Sequence, residues 1–85
     1  MSTALNITSP KLVKNAGGTV LVVSVIFPGS GPGMINDCAG IGAAAAENQE
    51  AVIPPVAGVY QINFVCTTGI VVTPGPGQQL AVNFA

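Results

Sequence analysis

The side chains that could do acid–base, nucleophilic or metal chemistry are few: Asp37, Glu47, Glu50, Cys38, Cys66, Lys11 and Lys14. There is no histidine, arginine or tryptophan. A Ser-His-Asp or Cys-His relay therefore cannot be assembled. Glu47 and Glu50 lie three apart and would share a helical face as paired carboxylates. Acid–base work needs surroundings that separate the two pKa values, and nothing in the sequence around them supplies that. Two cysteines without histidine fall short of the four ligands of structural zinc, and the three acidic residues lack the alternating spacing of a calcium loop. Asp37 beside Cys38 works against an activated thiol, because a neighbouring carboxylate raises a thiol pKa. The expectation is a non-enzymatic chain with no cofactor and no metal.

Two glycine-rich runs, Pro28–Gly33 and Pro74–Gly77, could be mistaken for phosphate loops. Such a loop must open into a helix N-terminus, and the P-loop also needs Lys followed by Ser or Thr. Neither run has that context, so both read as turns. With only two lysines there is no basic patch for a phosphate backbone, and nucleic acid is not an expected partner. A sugar platform would need exposed aromatics, whereas the only aromatics are Phe27, Tyr60, Phe64 and Phe84.

The elements that position these residues read as strands. In Gly58–Phe84 the residues Tyr60, Ile62 and Phe64, and later Leu80, Val82 and Phe84, alternate with polar or small neighbours, the period of two of a half-buried strand. Ile70–Val72 between them has no polar face. The run predicts three consecutive strands of an antiparallel meander. Thr19–Phe27 is the most β-prone segment, apolar on both faces, with Val20, Val22 and Ile26 on one of them. Exposed, it would be an aggregation hazard, so something must cover it. Short strands are also expected at Lys11–Asn15, Met34–Cys38 and Ala51–Ile53.

The fold class expected is all-β: a compact antiparallel β-sandwich or small barrel of six to seven short strands, with at most one short helical turn near residues 43–50. The organisation expected is an N-terminal arm over residues 1–10, then a single β domain over residues 11–85. The candidate core is Val20, Val22, Ile26, Tyr60, Ile62, Phe64, Val72, Leu80, Val82 and Phe84.

Composition points to assembly. Hydrophobic residues make up 49% of the 85 residues and charged residues 6%, against about 25% charged in ordinary soluble domains. Net charge is −1, so little repulsion keeps copies apart. An outside rich in Thr, Asn, Gln, Ser and Gly would need no partner, but a surface this poor in charge favours burial in an interface. The longest apolar run, Val20–Phe27, is far short of the roughly 20 residues of a membrane helix. The N-terminus lacks the basic and apolar regions of a signal peptide, so the chain is expected to stay in the cytoplasm where it is made or to leave inside a larger particle. Without an export signal the redox prior favours free thiols at Cys38 and Cys66, with one disulfide the alternative.

Several motifs follow one another in a suggestive order. They are Gly18-Thr19-Val20-Leu21, Met34-Ile35-Asn36-Asp37-Cys38, Ala43–Gln49, Ala51-Val52-Ile53-Pro54, Gly58–Asn63, Gly69-Ile70-Val71-Val72 and Pro74–Gln78. Over Lys11–Phe84 this outline resembles small structural proteins of tailed bacteriophages. The resemblance implies a decoration, or cement, protein on the outside of the head, bridging major capsid protein subunits in many copies and pairing with itself as a homotrimer or homodimer. Leu5, Ile7, Lys11 and Lys14 are the candidate interface, with the Leu5/Ile7 arm reaching a neighbour. The alternative is a small tail-fibre or host-attachment module that binds a receptor or glycan.

Overall fold

A computed structural model describes residues Met1–Ala85. The chain forms eight strands: β1 (Ser2–Ile7), β2 (Lys11–Lys14), β3 (Gly18–Phe27), β4 (Gly33–Asn36), β5 (Gln49–Ile53), β6 (Gly58–Cys66), β7 (Ile70–Thr73) and β8 (Gln79–Phe84). They make two four-stranded sheets. Sheet I has the order β1-β8-β3-β6 and sheet II the order β2-β7-β4-β5, with every pair antiparallel. The result is a sandwich with open edges, not a closed barrel. No helix is long and apolar enough to cross a membrane.

The expected meander is not formed. Strands β6, β7 and β8 are all present, but β6 pairs with β3, β7 with β2 and β4, and β8 with β1 and β3. Only β4 and β5 are both consecutive and paired. Every other connection crosses from one sheet to the other. Period-two alternation reports which side of a strand is buried, and it does not report which strand lies alongside.

The eighth strand is the segment expected to be an arm. Ser2–Ile7 pairs along β8 from Ser2↔Phe84 to Ile7↔Leu80. Its alternation is hidden because a bulge between Ala4 and Ile7 inserts an extra residue, with Asn6 at φ 55°. Ala4 and Ile7 therefore both face the core although three positions apart. A residue in the left-handed region inside a bulge re-aims everything after it, and asparagine tolerates that conformation better than most side chains.

The core lies between the sheets, built from Ile7, Val20, Val23, Val25, Leu80 and Val82 of sheet I against Ile35, Ile53, Ile70 and Val72 of sheet II. Of the expected core, Val20, Val72, Leu80 and Val82 are fully buried, and Tyr60, Ile62 and Phe84 pack against it. Val22, Ile26 and Phe64 do not belong to it. Strand β3 carries one extra residue opposite β8 between Val20 and Val22, and another between Val25 and Phe27. The inward set therefore becomes Val20, Val23 and Val25, which leaves Val22 half-buried on the outside and Ile26 50% exposed. Phe64 is 47% exposed, on the edge strand β6 next to a second bulge where Asn63 has φ 56°.

Two short 3₁₀ turns, Ile41–Ala43 and Ala46–Asn48, stand where at most one helical turn was expected. The alanines favour helix, but each turn spans only three residues and is held by side chains. Asn48 Oδ1 accepts from Ala45 N at 3.0 Å, and Asn48 Nδ2 donates to Ala43 O at 2.9 Å.

The two Pro-Gly turns meet at one end of the sandwich. Ser30 N donates to Pro76 O at 2.9 Å. The buried Gln78 ties them to the Pro54-Pro55 step, taking Gly75 N on Oε1 at 2.8 Å and donating from Nε2 to Pro54 O at 2.8 Å. A side chain on Gly75 would run into the Gly31 carbonyl.

Candidate interaction surface

All five charged side chains sit on sheet II or its connections. Lys11 and Lys14 are on β2, Asp37 follows β4, Glu47 is in the second 3₁₀ turn and Glu50 is on β5. None of β1, β3, β6 and β8 contains a charged residue. The sandwich thus has one half with every charged side chain and one half with none.

On the charged side, Asp37 organises the turn between β6 and β7. Its carboxylate accepts from the backbone N–H groups of Thr67, Thr68 and Gly69, the last two at 2.8 and 3.2 Å. Those bonds, led by Thr67 and Thr68, hold its pKa down to about 2. Burial pushes the Glu50 carboxyl up, and the nearby Asp37 carboxylate pushes it further. Burial also pushes the Cys66 thiol up to about 11, with Glu50 and Asp37 adding to the effect. A thiol so suppressed is a poor nucleophile. Cys38 and Cys66 are both free and buried. No three Cys, Asp or Glu side chains converge as a metal-ligating group, and no pocket opens on the surface.

The outer faces of the two sheets differ. On sheet II, Val71 alternates with the core residues Ile70 and Val72, yet it is fully buried, as is Asn36 opposite it. Asn36 Nδ2 donates to Ala45 O at 3.0 Å and to Asn48 Oδ1 at 2.8 Å, and Asp37 N donates to Asn48 O at 2.8 Å. The alanine-rich segment is folded down over Val71 and Asn36, while Val52 on the same side stays exposed.

Sheet I has no such cover. Residues directly opposite in a sheet share a face. Ser24 is opposite both Ala81 and Val59, and Val22 is opposite both Asn83 and Gln61. Leu5 stands beside Ala81, between the pairs Ala4↔Val82 and Ile7↔Leu80. A row Leu5–Ala81–Ser24–Val59 therefore crosses all four strands on the outside. Leu5 is 67% exposed and Val59 71%. Phe27, opposite the outward Gln79, is 61% exposed and continues the patch with Ile26. This outer face carries no charged side chain, and its apolar Leu5, Ala81, Val22, Phe27 and Val59 are interspersed with the small or neutral polar Thr3, Ser24, Gln61, Gln79 and Asn83.

The residues expected at an interface are scattered. Leu5 is on the apolar face, whereas Ile7 is 1% exposed and belongs to the core. Lys11 and Lys14 lie on β2, an edge of sheet II, and Lys14 Nζ donates to Ala85 O at 3.2 Å. Val59 was not singled out, Ile26 was expected in the core, and Phe27 was placed only in a strand that something must cover. The signal that marks them is the absence of charge from four strands that turn out to form one sheet, a grouping that depends on topology.

Comparison with protein-family models, with curated proteins and with solved structures gave no match.

Proposed function

We propose that this chain is a non-enzymatic assembly protein of the phage-head decoration kind, sitting on the outside of the capsid and adding contacts between major capsid protein subunits. The observation that carries the reading is the segregation of charge. One half of the sandwich holds every charged side chain and the other presents Leu5, Ile26, Phe27 and Val59 to the surface. An apolar face with no charge is costly in water and suited to burial against protein. When that face is buried, the charged half is left on the outside of the assembly. Many copies, each adding modest binding energy, raise the force a shell withstands, because every bound copy stabilises the assembled state by mass action. The order of turn and strand motifs over Lys11–Phe84 supports the phage kind in particular.

The test is co-sedimentation of the purified protein with empty phage-like shells that lack it, followed by thermal melting of those shells. Near-stoichiometric pelleting with a raised melting temperature is the expected result. Protein that stays in the supernatant at every ratio, with shell melting unchanged, would overturn the reading.

A further inference from the structure

We infer that the outer face of sheet I is covered by the same face of a second copy, so that the chain forms a two-fold dimer of stacked sandwiches. This rests on the reading above only in taking the uncharged half as a buried one. Three observations favour a second copy as the occupant. The first is self-compatibility: a two-fold interface sets a surface against itself, so any charge on it meets its like. The strands β1, β8, β3 and β6 contain no charged residue, while the outer side of sheet II carries the alanine-rich segment that includes Glu47.

The second is area. The sandwich measures 28 × 25 × 17 Å, and one broad face is roughly a fifth of its 4228 Å² surface, close to the ~800 Å² that each partner gives to a standard interface. The third is layout. A two-fold axis along the strands, between β8 and β3, places Leu5 of each copy over Val59 of the other and Ala81 over Ser24. Twisted sheets packed face to face are closest at the centre and splay toward their corners. The small Ser24 and Ala81 are central and the larger Leu5 and Val59 marginal, in keeping with that shape.

The experiment is light scattering on the purified full chain over a wide concentration range, with Ser24→Glu, Val59→Lys and Val52→Lys beside the wild type. Val52 is exposed on the outer side of sheet II and serves as control. The wild type and Val52→Lys should have twice the chain's 8.4 kDa mass, insensitive to salt because no charge pairs cross the interface. Ser24→Glu should weaken the dimer about 100-fold or more, since it buries two like charges near the axis. Val59 is so exposed that Val59→Lys leaves the fold intact, and it should shift the mass toward monomer even if Ser24→Glu folds poorly. A wild type that is monomeric at all concentrations, or an oligomer indifferent to Val59→Lys, would overturn the inference. A monomer that still pellets with shells would leave the capsid reading standing, and a dimer that ignores shells would do the reverse.

Discussion

Asp37 reaches across the sandwich to Thr67: its Oδ2 accepts from the Thr67 backbone N–H at 2.8 Å and from Thr67 Oγ1 at 3.1 Å. The contact joins the end of β4 to the turn between β6 and β7, segments thirty positions apart in the chain. Asp37→Asn should therefore lower stability by about 1 kcal/mol, the low end for a charged acceptor because the carboxylate is partly open to water. The pH dependence has a definite sign. Folding lowers this pKa from 3.8 to about 2, so the contribution is full above pH 3.8 and is lost as pH falls toward 2. Urea midpoints of wild type and Asp37→Asn should differ at neutral pH and converge in strong acid. A gap that stays constant in acid would refute this.

Glu50 should act in the opposite sense. Its pKa is raised by burial first and by Asp37 second, so the ionised form opposes folding at neutral pH. Glu50→Gln is expected to raise the melting temperature by about 2–4 °C at pH 7. The gap should close as pH falls, because the folded wild type takes up its proton more readily than the unfolded chain. Differential scanning calorimetry over pH reads both effects.

Cys66 should be inert in the native protein. It is buried and its thiol is pushed up to about 11, so little thiolate is present and less is reachable. Iodoacetamide labelling at pH 8 should be roughly 100-fold slower in buffer than in urea. Peptide mapping by mass spectrometry assigns the rate to Cys66, and fast native labelling would contradict the buried placement.

Leu5 and Ile7 are two positions apart and should respond to mutation very differently. Ile7 is enclosed by both sheets, so Ile7→Ala should cost about 2–4 kcal/mol. Leu5→Ala should change monomer stability by less than about 0.5 kcal/mol. Deleting Ser2–Ile7 should destabilise more than either, since it strips a neighbour from β8 and opens the core. Equal effects at the two positions would mean that the segment is a loose arm after all.

The β character of the chain, seven of its eight strands and both Pro-Gly turns are legible in the sequence, because apolar alternation and turn residues are local properties. The bulges are not. Asn6 and Asn63 take positive φ without glycine to announce them, and the extra residues in β3 shift the buried set from Val22 and Ile26 to Val23 and Val25. Pairing is likewise illegible, since β6, β7 and β8 find their partners in distant segments. The absence of charge was visible throughout. Its concentration on one face follows only from the strand order.

That strand order bears on how the chain acquires its structure during synthesis. Strand β8, the six residues Gln79–Phe84, lies in the middle of sheet I between β1 and β3. Until those residues leave the ribosome, β1 has no neighbour and β3 lacks one of its two. Val20, Val23 and Val25 must wait beside a gap until Gln79–Phe84 has been made. Folding then closes loops spanning most of the chain, as Ser2 meets Phe84, and it belongs with the slow milliseconds-to-seconds class of β proteins. The nascent chain passes through a period in which its stickiest strand is unprotected, so crowding during high-level expression, more than equilibrium stability, should govern its yield of native protein.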